Sequence, residues 1–465
     1  MSDTLMVSVS GVRGLVGTDL TPEVVARWAA AFGTWARTGT GDGGRGKRKP
    51  RVVLGRDART SGPMFASAAT AGLNSVGCDV INVGLVATPT VQLAVEHHRA
   101  AGGIILTASH NPIEWNALKF VGPDGIFLDI RAGTRVRELV ADNSLPRANY
   151  DVIGGVEADA DAIDRHLTGV LALRGVDVGA IRRRRFRVAL DTVRGAGGAV
   201  MPQLLERLGC RVHAIKLETD GLFPRPPEPV PENLKALGAL VRRKKADIGI
   251  AVDPDVDRLA IVAETGRPIG EDYTLAFAIR AVLGRSNGRT AGRPVVCNLS
   301  TSLVVDDAVR DFGANVVRAP VGEAHVARKM IELKAVIGGE GNGGVMYPAL
   351  HVGRDAPVAL ALVLALLARA RVTVSELVGR SPRYTIVKAK VPRGPRLEPV
   401  YEGLRRKFPG AAVDTQDGLR LAWPDRWLHV RPSGTEPIIR LIAEAPSGAD
   451  AERLIEEGRR LCAAS

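Results

Sequence analysis

The chain has 465 residues, of which 45% are hydrophobic and 24% are charged, a composition typical of a soluble globular protein. This length is too great for one ordinary core and predicts about three or four domains. The 63 basic and 50 acidic residues give a net charge of +13, which favours anionic partners. Because the excess is spread out and aromatic residues make up only 4%, we expect no nucleic acid as a partner.

The four cysteines lie far apart, and they form no Cys-x-x-Cys pair: Cys78, Cys210, Cys297 and Cys462. This spacing argues against a zinc site and a disulfide framework, and it fits a reducing compartment, so we expect a cytoplasmic protein. No signal-peptide pattern opens the sequence. The longest apolar run, 356–368, is too short to cross a bilayer. With Asp355 as its cap and Pro357 in its first turn, it predicts a buried core helix, and we expect no membrane partner.

The first helix is readable in detail. Thr21 caps it and Pro22 starts it, and apolar side chains then recur at helical spacing: Val24, Val25, Trp28, Phe32 and Trp35. The segment that follows, 38–50, is rich in glycine and basic residues and predicts a mobile surface loop.

Strands and helices alternate through the first 370 or so residues. Three cycles open with short strands at 51–55, 186–191 and 294–298, and each has a second strand, at 79–83, 211–215 and 315–318. This alternation predicts mixed or parallel sheets covered on both faces. We therefore predict an α/β protein with three similar domains and a C-terminal α+β module, with these limits: 1–150, 151–258, 259–371 and 372–465.

A tight loop, Thr-Ala-Ser-His-Asn-Pro at 107–112, follows the apolar strand 103–106. Open α/β sheets bind ligands at the carboxyl ends of their strands, so Ser109 is a candidate nucleophile or phosphorylated residue. The alternative is a turn that merely ends a strand. Because no Gly-x-Ser-x-Gly elbow is present, the sequence does not support an esterase-type triad.

Three carboxylates, Asp253, Asp255 and Asp257, stand at alternate positions between two apolar strands. They would repel one another without a cation, and oxygen ligands suit Mg²⁺. An EF-hand is excluded because Arg258 stands where the turn glycine is required and strands replace the flanking helices. The cluster therefore predicts a magnesium site.

The segment Gly-Glu-Gly-Asn-Gly-Gly at 339–344 formally matches a dinucleotide fingerprint. The residues after it, 345–348, do not open a helix, so we reject that match. Glu340 and Asn342 could instead bind sugar hydroxyls. The alternative is a glycine-rich connector.

A second polar loop, 431–437, lies between two strands near the C-terminus. An arginine, two hydroxyls and a glycine that bares its amide suit a phosphate, and a plain β-turn is the alternative. Two further glycine-arginine loops, 10–14 and 55–59, are of the kind that line anion sites.

Taken in order, the five motifs at 10–14, 107–112, 253–258, 339–344 and 431–437 resemble those of the α-D-phosphohexomutase superfamily. The resemblance covers essentially the whole chain, and the superfamily includes phosphoglucomutase/phosphomannomutase and phosphoglucosamine mutase. It implies three topologically similar mixed α/β/α domains and a C-terminal domain like the TATA-binding-protein fold, arranged around a central cleft.

The resemblance also implies residue roles. Ser109 is expected to cycle through phosphoserine and to complete a site for one Mg²⁺ with Asp253, Asp255 and Asp257. The expected catalytic set is Ser109, Arg13, Lys119 and His110. The residues expected to bind the substrate are Glu340 and Asn342 for the sugar and Arg431, Ser433, Gly434 and Thr435 for its phosphate.

Two departures from the family pattern bear on these roles. Many members carry Glu-x-Ser-Gly-His in the sugar loop, whereas this chain has Asn342 for the serine and Gly344 for the histidine. That form is similar to the archaeal-type phosphoglucosamine mutases and their bacterial relatives. The segment 321–323 also lacks a histidine seen in some phosphomannomutases, so Lys119 is the favoured residue for proton transfer.

The implied activity is Mg²⁺-dependent transfer of phosphate between C1 and C6 of a hexose or hexosamine phosphate, through phosphoserine and a 1,6-bisphosphate that also acts as activator. Phosphoglucosamine mutase is the first expectation and phosphoglucomutase/phosphomannomutase the alternative. A metal-dependent sugar phosphatase and a non-catalytic anion-binding protein are more distant. A monomer or a homodimer is expected.

Overall fold

The computed structural model describes residues 5–38, 49–142, 145–285, 292–392, 394, 396–433 and 438–463. Most of the predicted surface loop at 38–50, together with Gly434 and Thr435 of the predicted phosphate loop, lies outside these residues. The strands of the described residues form four sheets of seven, four, five and five strands, in chain order.

The first sheet has the order β1-β2-β6-β5-β3-β4-β7. Its strands are β1 (Met6–Ser8), β2 (Gly11–Leu15), β3 (Arg51–Arg56), β4 (Asp79–Leu85), β5 (Gly102–Leu106), β6 (Trp115–Val121) and β7 (Val156–Ala158). Its helices are α1 (Pro22–Thr38), α2 (Gly62–Asn74), α3 (Thr88–His98) and α4 (Ile130–Ala141). Helix α1 begins where its proline predicts, and it buries Trp28 and Phe32 against Phe120 of β6.

The second sheet has the order β11-β10-β8-β9. Its strands are β8 (Arg187–Asp191), β9 (Arg211–Ile215), β10 (Ile248–Val252) and β11 (Leu259–Ala263), and a short 3₁₀ turn, Pro231–Asn233, precedes its last helix. Its helices are α5 (Ala162–Ala172), α6 (Val178–Arg184), α7 (Gly197–Arg207) and α8 (Lys235–Lys244).

The third sheet has the order β13-β12-β14-β15-β16. Its strands are β12 (Val295–Asn298), β13 (Val316–Ala319), β14 (Ile337–Glu340), β15 (Gly344–Tyr347) and β16 (His351–Arg354). Its helices are α9 (Asp272–Leu283), α10 (Val304–Arg310), α11 (Glu323–Glu332), α12 (Ala356–Ala370) and α13 (Val374–Gly379). Helix α12 is the predicted core helix: it is buried along most of its length, and Asp355 caps it by accepting from the Val358 amide at 2.9 Å.

The fourth sheet is wholly antiparallel, with the order β17-β21-β20-β19-β18. Its strands are β17 (Thr385–Pro392), β18 (Ala412–Asp414), β19 (Leu419–Ala422), β20 (Trp427–Pro432) and β21 (Ile438–Ala445). Two helices, α14 (Glu398–Lys407) and α15 (Gly448–Ala463), pack on it. This is the α+β module predicted for the C-terminal part of the chain.

The first three sheets share one strand arrangement. Each contains a run of four neighbouring strands, of which the last three are parallel to one another and the first is antiparallel to them. The three runs are β6-β5-β3-β4, β11-β10-β8-β9 and β15-β14-β12-β13. The antiparallel strand follows the central strand directly in sequence, so a hairpin loop leaves the carboxyl end of β5, β10 and β14. These three loops carry Ser109, the aspartate cluster and Glu340's glycine-rich segment.

Two strands lie beyond the domain limits that the sequence predicts. Strand β7 pairs with β4 of the first sheet although it lies past residue 150. Strand β11 pairs with β10 along its whole length although it lies past residue 258. Because strands that share a ladder of hydrogen bonds belong to one sheet, this pairing moves both limits further along the chain.

Candidate active site

The three hairpin loops converge on one cleft. A cavity of about 870 Å³ lies between them, and loops at the carboxyl ends of parallel strands are where open α/β folds bind their ligands. The polar residues that line it include these: Arg13, Ser109, His110, Lys119, Arg258, Glu340, Asn342 and Arg354. The structure therefore brings most of the sequence-predicted residues together.

Ser109 is held in a strained conformation. Its φ of 50° lies in the left-handed region, which non-glycine residues rarely adopt. Its amide donates to the hydroxyl of Thr107 at 2.9 Å, and that hydroxyl donates to Asp57 at 2.7 Å. These bonds fix a buried serine whose Oγ faces the second domain.

The buried side chain of Arg59 holds the serine loop through hydrogen bonds to its backbone. The sequence placed it in a loop of the kind that lines an anion site, but its side chain is fully buried and pairs with Asp57 at 3.1 Å. Its guanidinium donates to four backbone carbonyls of the loop, those of Ser109, Asn111, Pro112 and Trp115. The expectation that Arg59 lines an anion site was wrong, because its guanidinium is taken up by these bonds to the backbone of the serine loop.

The aspartate cluster faces Ser109 directly. The serine Oγ donates to Asp253 Oδ2 at 3.0 Å. Each of the three aspartates offers one ligand oxygen, and these oxygens all lie within 4.8 Å of one another in a buried setting. Burial raises the pKa of Asp253 well above its usual value, and repulsion from Asp257 and Asp255 adds to the rise.

The cluster fits a hard divalent cation. Asp255 Oδ1 and Asp257 Oδ1 are buried, and among the described residues they have no hydrogen-bond partner. Val256 between them has a φ of 62°, a strained value for a β-branched residue that turns the loop back between its strands. Buried carboxylate oxygens without partners are costly, and a cation with oxygen ligands would satisfy them.

Lys119 and Thr88 engage the other oxygen of Asp255. The Lys119 ammonium and the Thr88 hydroxyl both donate to Asp255 Oδ2 at 2.8 Å. Burial alone would raise the pKa of Asp255, but these two donors hold it well below its usual value. Asp255 is therefore an ionised carboxylate that joins the first two domains and keeps Oδ1 available.

Arg13 and His110 flank the serine. Arg13 donates to Asn111 Oδ1 at 2.6 Å, and burial together with the nearby Arg59 charge lowers its pKa. His110 Nδ1 lies 3.4 Å from Ser109 Oγ. Burial and the charges of Arg258 and Arg13 lower the pKa of His110 well below its usual value, so its ring is neutral.

Glu340 presents one end of the glycine-rich loop 339–344 to the cleft. Its carboxylate accepts from Asn298 at 2.8 Å and from the Gly322 amide at 3.1 Å. Burial would raise the pKa of Glu340, but the Arg354 charge lowers it below its usual value. Asn342 also lines the cleft, and its Oδ1 accepts from the Gly344 amide at 3.2 Å.

Of the predicted phosphate loop, the described residues Arg431 and Ser433 are not among the residues that line this cavity. Arg431 donates to Asp417 Oδ2 at 2.7 Å, and the same oxygen accepts from the Val321 amide of the third domain at 3.1 Å. Ser433 is buried at the end of β20. Gly434 and Thr435 lie outside the described residues.

Thr88, Glu323 and Arg354 are site residues that the sequence argument missed. Thr88 follows the carboxyl end of β4 and precedes a proline at a helix start, so its position at a strand end was a usable signal. Arg354 reaches Asp257 across 97 positions and Glu340 across 14. Sequence spacing alone carries no sign of such a contact.

Models of one known family match the chain along almost its whole length. The models of the phosphoglucomutase/phosphomannomutase family match as alpha/beta/alpha domains I, II and III at residues 5–147, 164–266 and 270–384, and as the C-terminal domain at residues 387–461. The chain belongs to this family. It is therefore an enzyme of the mutase class, and the family confirms the predicted fold of three mixed α/β domains and a C-terminal module.

Individual family members are similar over the same length. A phosphoglucomutase/phosphomannomutase of Thermococcus kodakarensis is 40% identical over 456 residues, 97% of each chain. A probable phosphoglucosamine mutase of Methanopyrus kandleri is 37% identical and covers 96% of this chain and 95% of its own length. The crystal structure of a family protein from Burkholderia thailandensis superposes with a TM-score of 0.84 at 28% identity, covering 98% and 97%.

Among the helices of the described residues, none is both long enough and apolar enough to cross a membrane.

Proposed function

We propose that this family member is a phosphohexomutase that moves phosphate reversibly between C1 and C6 of a hexosamine phosphate, with Ser109 as the phosphate carrier. The contact of Ser109 Oγ with Asp253 Oδ2 at 3.0 Å, beside three buried carboxylates, carries this proposal. A phosphoryl group on this hydroxyl would lie beside a cation bound by the three carboxylates. We propose Mg²⁺ as that cation, held by Asp253, Asp255, Asp257 and the serine phosphate.

The charges of the site suit phosphoryl transfer. A phosphoserine carries about −1.5 to −2 charge near neutral pH. Mg²⁺ would supply charge neutralisation at the transferring group. The Arg13 guanidinium and the Lys119 ammonium line the same cleft and add fixed positive charge there.

The proposed reaction exchanges a phosphoryl group between the Ser109 hydroxyl and a sugar hydroxyl. A sugar hydroxyl oxygen attacks the phosphorus, the bond from phosphorus to Ser109 Oγ breaks, and the sugar's proton ends on Oγ through a base. His110 is neutral and lies 3.4 Å from Oγ, so it can accept and return this proton. The sequence favoured Lys119 for this step, but its ammonium donates to Asp255 and offers no lone pair. We assign Lys119 to charge stabilisation.

The remaining residues would hold the sugar. Glu340 and Asn342 line the cleft with hydrogen-bonding oxygens for sugar hydroxyls. The intermediate 1,6-bisphosphate must turn round before its other phosphate returns to Ser109. Arg431 and Ser433, with Gly434 and Thr435, would bind whichever phosphate is distal, and movement of the C-terminal domain would admit and release the sugar.

Phosphoglucosamine mutase is the specific activity we favour, because the sugar loop has the form Gly-Glu-Gly-Asn-Gly-Gly and a 37% identical relative carries that name. Phosphoglucomutase/phosphomannomutase is the second candidate, because a 40% identical relative is so named.

The substrate is settled by measuring kcat/KM side by side for the 1-phosphates of glucosamine, glucose and mannose, with Mg²⁺ and the matching 1,6-bisphosphate as activator. We expect glucosamine to lead. A higher value for glucose or mannose would assign the second candidate. Release of inorganic phosphate faster than isomerisation would instead indicate a sugar phosphatase, because water would then outcompete the sugar at the serine phosphate.

A further inference from the structure

Arg354 joins the cation loop to the sugar loop. At the end of β16 its guanidinium donates to Asp257 Oδ2 at 2.6 Å and to Glu340 Oε2 at 2.7 Å. Its Nε lies 3.1 Å from Glu323 Oε2. The side chain is 9% exposed, and one buried cation thus stands among three buried carboxylates.

Gly344 makes room for this side chain. A Cβ added at Gly344 would lie 2.2 Å from Arg354 Cδ and 2.9 Å from Arg354 Cγ, well inside van der Waals contact. Gly344 has no positive φ, so the backbone itself would accept alanine. The absence of a side chain at 344 is therefore matched by the arginine stem, which fills the space.

We propose that Arg354 is a positioning residue, which sets the carboxylates of Asp257 and Glu340 relative to each other and so couples cation binding to sugar binding. Position 344 is glycine because the Arg354 side chain must pass over it. The inference rests on the proposed mutase function and deepens it. Arg354 acts through the two carboxylates.

The planar shape of the guanidinium lets Arg354 hold both carboxylates at once. Arginine offers donors in a planar fork, and here separate nitrogens reach Asp257 and Glu340. A lysine at 354 would keep the charge and most of the stem, but its ammonium is a single point. A lysine ammonium cannot reproduce either hydrogen bond in its observed geometry, so each carboxylate loses the bond that it accepts from Arg354 and their relative position changes.

A purely structural role is the alternative, and it makes a different prediction. Arg318 serves as the matched control because it is a partly buried arginine of the third domain, its side chain 11% exposed, and it does not line the cleft. It donates to Asp306 at 2.5 Å and to the Thr301 carbonyl at 2.8 Å. If Arg354 only supported the fold, R354K and R318K would lower the melting temperature alike and leave ligand binding unchanged.

The test measures two ligands separately on the full chain. Mn²⁺ binding is followed by electron paramagnetic resonance without sugar, and glucosamine 6-phosphate binding by calorimetry without metal. We expect R354K to weaken both by about 10-fold, because each loses one charge-assisted hydrogen bond, and R318K to weaken neither. Wild-type affinity of R354K for both ligands, with its fold intact by circular dichroism, would overturn the inference.

The space at Gly344 gives a second test. G344A should weaken both ligands in the wild-type background, because the new Cβ displaces the arginine stem. In an R354A background the same change should cost little more, since the obstructing atoms are gone, so the two effects are non-additive. Equal losses from G344A in both backgrounds would contradict the coupling.

Failure of the proposed function is separable from failure of this inference. S109A is assayed in parallel for interconversion of the sugar phosphates. Full activity of S109A would refute the serine carrier whatever R354K does, whereas unchanged binding by R354K with an inactive S109A would refute the role of Arg354 alone.

Discussion

The hydroxyl of Ser109 donates to Asp253 across a domain boundary, at 3.0 Å. The two residues stand 144 positions apart, at equivalent hairpin loops of two sheets that share a four-strand arrangement. Both loops contain a residue in the left-handed region, Ser109 and Val256. Strain at two facing loops fits a site whose geometry is set by the surrounding sheets, because such conformations persist only where the rest of the fold imposes them.

Asp253→Asn should separate activity from stability. Loss of one carboxylate should lower the Mg²⁺-dependent kcat/KM by at least about 100-fold. The unfolding free energy in urea with chelator should not fall, because burial and the neighbouring aspartates raise the pKa of Asp253, so its ionised form is disfavoured in the metal-free fold near neutral pH. Glu138→Gln, an exposed carboxylate on α4, is the control for both measurements. Wild-type activity of Asp253→Asn would sink the assignment of the cation site.

Arg59→Met should destabilise the fold strongly. The variant leaves Asp57 and four backbone carbonyls without their buried partner, which costs about 3–5 kcal/mol. Urea unfolding measures this loss. Arg135→Met removes an exposed arginine, 61% accessible, and should change stability by no more than about 0.5 kcal/mol. Equal effects of the two substitutions would show that the buried hydrogen bonds of Arg59 are not needed.

His429 should make the contact between the third and fourth domains sensitive to acid. Burial lowers its pKa to about 4 from a usual 6.5, and the ring contacts Ser300 at 2.8 Å and the Asp417 carbonyl at 2.7 Å. The unfolded chain takes up a proton below about pH 6.5, whereas the folded chain does so only near pH 4. Stability that is present above this window is therefore lost as the pH falls through it.

The measurement for His429 compares unfolding midpoints at about pH 5 and about pH 7.5 in the wild type and in His429→Gln. We expect the wild type to lose more on acidification than the variant, by a few kcal/mol at most. Identical pH profiles would show that His429 does not titrate across this range.

Arg431→Ala should weaken substrate binding more than turnover. In the proposed role Arg431 donates a charged hydrogen bond to the substrate phosphate, and losing such a bond costs about 1.5–3 kcal/mol. KM should therefore rise roughly 10- to 100-fold while kcat changes less. Steady-state kinetics with the preferred sugar phosphate give both constants. Arg460→Ala on α15, an exposed arginine paired with Glu457, is the matched control. An unchanged KM would remove Arg431 from the phosphate site.

Much of this molecule is readable from its sequence because its signals are local. The cap of α12 at Asp355 and the start of α1 at Pro22 follow from the chemistry of single turns. The serine loop and the aspartate cluster each follow an apolar strand, so their position at strand ends was predictable. The shared strand order then brings these loops into one cleft.

The residues that escaped prediction act over long separations. In the sequence, Arg59 looks like an exposed anion-binding residue, because the backbone carbonyls that it binds in the folded chain lie 50 or more positions away. In the sequence, Arg354 has no visible partner, because Asp257 and Glu340 contact it only in the folded chain. The sheet limits at β7 and β11 likewise depend on pairing that no single segment reveals.

The central claim is that Ser109 carries the phosphate, and its transfer to the protein tests this most directly. The protein is incubated with Mg²⁺ and glucosamine 1,6-bisphosphate, and the phosphorylated residue is located by peptide mass spectrometry. The account predicts one phosphoryl group, on Ser109, which glucosamine 1-phosphate then removes, and neither label nor interconversion in Ser109→Ala. A label on another residue, or wild-type interconversion by Ser109→Ala, would contradict it.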